Sequence, residues 1–361
     1  MKMTLPDHTS ARSRKFLHPL LRRTSSILAV AVLAAMMVTF ISGCRNEQET
    51  VVVYTSVDQV YSEKIFAAYE KATGVKVEAK YDIEAAKTVG LVNTLIAEKD
   101  NPRADVFWSG EILYTIDLKE KGVLAPASPE NTKNLPPAFI DPDNMWFAFG
   151  GRARVLIFNK TLIDRNDCPK TMEELLTGAF VTKTGIANPV FGTTATQAAV
   201  LYSQWGKEKA RNFYNGLYDA GIVVLEGNGP VKDQVSQKKI AMGLTDTDDA
   251  LVEMAKNPDL DIVFLDQGEQ DMGTLVIPNT VAKIKGGPNP EQAEAFIDYL
   301  LSIEVEQMLV DDEWIQIPVN SEVKAADVVE QADVKIMAAD FNAAYGFVEE
   351  AKTDMTAIFV R

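Results

Sequence analysis

Residues 51–81 read VVVYTSVDQVYSEKIFAAYEKATGVKVEAKY, and this stretch decides the fold. A β-branched apolar run (51–55) comes first. Ser56-Val57-Asp58-Gln59 then fits a capping box, in which side chains satisfy the free N–H groups of a helix start. Residues 61–71 are amphipathic at helical spacing, and Gly74 is a suitable stop because glycine tolerates a left-handed backbone. A second strand-like run, 75–81, follows. Strand, helix, strand in so short a span predicts a parallel pair with a crossover helix.

The alternation continues along the chain. Strands are expected at 105–108, 154–158, 185–187, 222–225, 240–244, 261–265 and 274–277. Amphipathic helices are expected at 85–98, 172–176, 195–202, 207–218, 231–238, 250–256 and 291–302. This is the α/β pattern, in which ligands sit beyond the carboxyl ends of strands, near helix starts. Three such starts stand out: Gly192-Thr193-Thr194, Gly227-Asn228-Gly229-Pro230 and Thr245-Asp246-Thr247-Asp248-Asp249. Asn257-Pro258 is a stop, and the Pro- and Asn-rich stretch 126–143 reads as a surface loop.

The chain has 361 residues, 47% apolar and 24% charged, which suits an ordinary globular protein of about two domains. Its net charge is −15, but residues 1–43 are basic, so residues 44–361 carry −20. A body that acidic is a poor partner for nucleic acid or an anionic membrane surface. Both histidines, His8 and His18, lie in the basic leader. Once the leader is removed, no Ser-His-Asp triad, histidine base or histidine-ligated metal can be built.

The leader is basic over 12–23 and free of charge over its 17 residues 27–43, which is the pattern of an export signal. Ile41-Ser42-Gly43-Cys44 resembles the bacterial lipoprotein processing box. That resemblance implies a signal peptide at 1–43, lipid on Cys44, a tether at 44–50 and an exported chain anchored to the bacterial cell envelope, facing the periplasm or the exterior. An uncleaved anchor helix is the alternative, and Arg22-Arg23 hints at a twin-arginine signal. With Cys44 acylated, Cys168 is left without a partner.

Five passages in order carry a wider resemblance: residues 51–81; ADVFWSGE (104–111) with DLKEKGVLAP (117–126); GGRARVLIFNKTLI (150–163); EGNGPVKDQVSQKKIAMGL (226–244); and PNTVAKIKGGPNPEQAEAFIDYLLSIEVEQML (278–309). Together they resemble the solute-binding proteins of bacterial ABC importers, and more narrowly the ferric-iron-binding periplasmic family. The resemblance implies a type II periplasmic-binding-protein fold: two α/β lobes, mixed mostly parallel sheets with flanking helices, and a hinge of two crossover strands near 149–158 and 272–277. Lobe one is then 51–150 plus 276–361, and lobe two 151–275. The implied protein is a monomeric receptor, not an enzyme. It closes on a small ligand and delivers it to the permease subunits, with no cofactor beyond a bound Fe(III) or other hard cation and its synergistic anion.

Residue by residue, the resemblance assigns the anion to Thr193, Thr194, Asn228 and Gly229, with Ser56 at a further helix start. The family's metal-binding tyrosine pair falls on Asp248 and Asp249, which become the metal candidates with Asp246 beside them. Its histidine and glutamate fall near Asp58 or Gln59 and near Glu111. Carboxylates suit hard cations, but they also suit an ammonium. A cationic or zwitterionic organic solute (an aminophosphonate, a polyamine, a thiamine-like compound) is therefore the alternative cargo. The same acids could merely cap their helix and favour its dipole. Arg152 and Arg154 could clamp an anion or form a salt bridge; Tyr54, Trp108 and Tyr202 could line a cleft or fill the core. A carboxylate hydrolase using Asp246 and Glu111 has nothing to position a sugar. A sensory receptor is not separated from an import receptor by sequence.

Overall fold

The computed structural model describes residues 48–81, 89–177, 181–311 and 317–360. The export segment, Cys44 and residues 45–47 of the tether lie outside them. The opening unit forms as expected: β1 (Thr50–Thr55), α1 (Gln59–Thr73) and β2 (Lys76–Tyr81). β1 and β2 are parallel, in register from Thr50↔Lys76 to Thr55↔Tyr81. Gly74 ends α1 at φ 77, with its N–H on the Glu70 carbonyl. The capping box does not form. Asp58 occupies the N-cap position without a side-chain cap, and Gln59 turns to Glu63 one helical turn on. Ser56 instead accepts the Gly110 N–H at 3.1 Å, because its hydroxyl faces the neighbouring loop rather than its own helix.

Next come α2 (Val89–Ala97), β3 (Val106–Ser109), α3 (Ile112–Glu120), β4 (Leu124–Ala125) and the long β5 (Phe147–Asn159). β6 (Thr184–Ala187), α4 (Gly192–Trp205), α5 (Lys207–Asp219), β7 (Val223–Leu225), α6 (Asn228–Ser236), β8 (Met242–Asp246), α7 (Thr247–Met254) and β9 (Leu260–Phe264) follow. The described chain continues with β10 (Val276–Ile284), α8 (Pro290–Leu300), α9 (Ile303–Asp311), α10 (Asp327–Glu330), α11 (Phe341–Tyr345) and α12 (Val348–Phe359). Among the described helices, none is long and apolar enough to cross a membrane.

The strands run in the order β2-β1-β3-β10-β5-β8-β6-β7, with β4 on β10 and β9 on β5. β5 links two halves. Phe147–Ala153 pair antiparallel with β10, Arg154–Phe158 with β8 and Val155–Asn159 with β9, also antiparallel. Sequence reading expected only the later part of β5 and the first residues of β10. Gly150-Gly151 and Pro278 look like breakers locally, yet an antiparallel ladder absorbs them as a bulge. The register shifts between Pro278 and Asn279, facing Gly150, whose φ is 48. At the same level Gly151 also exchanges hydrogen bonds with Ile317, at 2.6 and 2.8 Å.

Apolar cores lie on both faces of each half. Phe66, Trp108, Phe149 and Phe296 form one aromatic set, with neighbouring ring centroids 5.4–5.8 Å apart. Such pairs each add about 0.5–1.5 kcal/mol beyond their area. Ala199 and Val200 of α4 join a core with Ile112, Ile116 and Phe341, so α4 and α11 tie the halves together. α12 packs on the second half: Ala351, Met355 and Ile358 fill the core of Tyr202, Phe213 and Tyr214. Tyr202 donates to Asp354 at 2.9 Å.

Candidate functional site

Arg154 and Asp246 are directly opposed across the antiparallel β5–β8 pair. Facing positions bring side chains within reach, and here they form an ion pair of 2.6 Å with both side chains almost wholly buried. A buried guanidinium needs acceptors for its remaining N–H groups, and the surrounding helix starts supply them. Arg154 Nη1 also donates to Thr193 Oγ1 (3.2 Å) and Asn228 Oδ1 (3.1 Å), Nη2 to Thr194 Oγ1 (3.2 Å), and Nε to Gln197 Oε1 (3.1 Å). The second Asp246 oxygen accepts from Thr193 (2.7 Å) and Asn228 (2.7 Å).

Three helices therefore start here without a side-chain cap: α4, α6 and α7. Thr193, Thr194, Asn228 and Asp246 at these starts have turned to Arg154 instead. Thr247 accepts the Ala153 N–H at 3.1 Å, and Thr245 donates to the Asn228 carbonyl at 3.3 Å. Close backbone packing sets this convergence. A Cβ on Gly243 would come within 2.3 Å of Val231, so α6 lies directly on β8 and brings its Asn228 end over Asp246.

Asp248 and Asp249 stand in the first turn of α7, half-buried. One carboxylate oxygen from each, together with one from Asp246, lies within a 4.8 Å span. Burial pushes both carboxyls well above their ordinary range; Asp246 adds to this for both and Asp249 for Asp248, and Arg152 pulls back. Lys232 also restrains Asp249. Gly229 lies against this pair: a Cβ there would be 3.9 Å from Asp249 Oδ1.

From the first half, Glu111 faces the same ground. Its Oε2 accepts from Thr196 of α4 at 2.8 Å, and its Oε1 lies 3.8 Å from Arg152 Nη2. Burial raises the Glu111 carboxyl, with Arg152 and Thr196 opposing. Arg152 Nη2 donates to the Gly110 carbonyl at 2.5 Å. Burial works against the Arg152 charge, but Asp248, Asp246, Glu111 and Asp249 outweigh it.

The structure thus gathers Thr193, Thr194, Asn228, Gly229, Asp246, Asp248 and Asp249 into one neighbourhood, with Glu111 approaching through Thr196. Ser56 lies one residue from Glu111 through its bond to Gly110. Asp58 and Gln59 remain exposed at the start of α1 and are not drawn in. Tyr54, Trp108 and Tyr202 are buried core residues. Gln197 and Thr196 were not expected at the site; Arg154, expected either to clamp an anion or to form a salt bridge, forms the salt bridge with Asp246.

Known proteins match this chain along most of its length. The family model for bacterial extracellular solute-binding proteins matches residues 54–307. A putative 2-aminoethylphosphonate-binding periplasmic protein of Salmonella typhimurium is 26% identical over 305 residues, covering 82% of this chain and 86% of that protein. Iron uptake protein A1 of Synechocystis is 25% identical over 281 residues, covering 74% and 76%. The crystal structure of iron-bound HitA from Pseudomonas aeruginosa shares the fold at TM-score 0.75 and 22% identity, covering 85% of this chain and 99% of that one. The α/β sheet with its flanking helices is accordingly of the type II periplasmic-binding kind. On the extent of the family match, the chain belongs to the bacterial extracellular solute-binding proteins.

Proposed function

We propose that the chain is the extracytoplasmic receptor of an ABC importer, and that it holds a small ligand carrying a positive and a negative group side by side. The carrying observation is the arrangement at the end of β8. The Asp246, Asp248 and Asp249 oxygens cluster within 4.8 Å beside three helix starts that lack side-chain caps. Helix starts favour an anion, through free N–H groups and the dipole. Clustered carboxylates favour a cation, which offsets the burial that otherwise keeps protons on Asp248 and Asp249. The two lobes are the halves joined at β5 and β10: 51–150 with the chain after 276 on one side, 151–275 on the other, and α12 grouped with the second lobe because its core contacts lie there. Closure of these lobes presents the loaded form to the permease. The receptor is monomeric, performs no covalent chemistry, and is anchored outside the membrane through lipid on Cys44.

A ferric ion with a companion anion fits this description, since the donors are hard oxygens. An organic zwitterion of the 2-aminoethylphosphonate type fits it too. Aspartates at the places where the family resemblance implies a tyrosine pair favour the zwitterion, because an ammonium needs no phenolate. The test is titration of the purified protein with 2-aminoethylphosphonate and with ferric citrate, alongside elemental analysis. Binding of either probe that is lost in Asp248→Asn/Asp249→Asn supports the reading. Binding unaffected by that change assigns these acids to the helix dipole alone and overturns the assignment of the site.

A further inference from the structure

Gly150 sits where β5 leaves one half for the other, at positive φ and opposite the β10 register shift. Backbone polar groups at such a point must find partners outside the ladder. Its carbonyl accepts from Asn279 Nδ2 at 3.1 Å. Its N–H donates to Glu306 Oε1 at 2.7 Å. Glu306, on α9, is fully buried, and the same carboxylate accepts from Val319 N–H (2.9 and 3.1 Å) and Asn320 N–H (2.8 Å). Burial works to raise the Glu306 carboxyl, and the N–H groups of Gly150, Asn320 and Val319, all donors aimed at it, oppose that; hydrogen bonds of this kind to a carboxylate are charge-assisted and strong. One side chain thus ties the crossover strand to the segment that runs on from Ile317, which itself pairs with Gly151.

We propose that Glu306 is a positioning residue for lobe closure: it holds the Gly150 crossover and the 317–320 segment as one unit and so sets the resting relation of the two lobes. The inference rests on the two-lobed receptor reading, but its test needs no ligand. Glu306→Gln keeps the shape and loses one acceptor and the charge. Asn279→Ala releases the Gly150 carbonyl from the other side. Spin labels at Glu63→Cys in α1 and Lys238→Cys after α6, in the full chain with Cys44 and Cys168 changed to Ser, report the distance between the lobes. Measured without ligand, below the thermal transition of every variant, both changes are expected to broaden the distance distribution about twofold, as a population spreads over more hinge angles. A loss of stability alone would lower the transition and leave the distribution untouched. Distributions in both variants identical to that of the unaltered pair overturn the proposal. Failure of the unaltered protein to bind 2-aminoethylphosphonate or ferric citrate strikes the ligand reading instead and leaves this measurement standing.

Discussion

Replacing Asp246 by Asn should cost far more stability than a surface carboxylate. Asp246 meets Arg154, Thr193 and Asn228 at 2.6–2.7 Å, and its guanidinium partner is 2% exposed. With the charge gone, Arg154 remains buried on neutral acceptors only. Removing one member of a buried pair costs about 3–5 kcal/mol. Arg154→Met should fall in the same range, leaving Asp246 on two neutral donors. Combining Arg154→Met with Asp246→Asn removes both charges, but Thr194 and Gln197 then lose their Arg154 partner, at about 1–3 kcal/mol for each group left unsatisfied. The double variant is therefore not neutral; it should cost about 2–3 kcal/mol less than the sum of its parts. Urea unfolding followed through the buried Trp108 and Trp146 supplies the cycle. Single losses below about 1 kcal/mol, or simple additivity, refute the claim that this pair organises the site.

Three further outcomes are expected. The Asp248 and Asp249 carboxyls are raised in the folded state, so folding holds their protons more tightly; this contribution is present at acid pH and disappears as pH rises through the raised values. The thermal midpoint of the unaltered, ligand-free protein should therefore fall relative to Asp248→Asn/Asp249→Asn as pH goes from the ordinary carboxylate range to neutrality, and parallel curves would disprove this. Gly243→Ala drives a methyl against Val231 at 2.3 Å and should cost about 1–3 kcal/mol by denaturant titration, with unchanged stability showing that α6 can retreat from β8. The buried Cys168 thiol is pushed up to about 11 by burial, so a maleimide should label it in urea and scarcely at all in the native protein; equal rates would mean that the site opens readily.

Much of the fold was legible because the signals are local. The β1-α1-β2 unit, the Gly74 stop and the helix starts after β6, β7 and β8 follow from runs of a few residues. The lengths of β5 and β10 did not. Gly150-Gly151 and Pro278 read as interruptions, and only pairing between distant strands shows that they form a bulge within continuous strands. The site divides along the same line. Thr193, Asn228 and Asp246 could be read as groups at helix starts, but not that they abandon capping for Arg154, since the Arg154↔Asp246 register joins residues far apart in the chain. Asp58 and Gln59 came from resemblance alone, and the helix start that carries them leaves both in solvent.

α12 has a consequence for when the protein can fold. Met355 and Ile358 complete an interior whose other walls, α4 and α5, were made far earlier in synthesis. Until that last plug arrives, the second half keeps an oily surface uncovered and has no finished native state to fall into. In a chain kept unfolded after synthesis, such a delay would discourage premature collapse of the second half until α12 can dock.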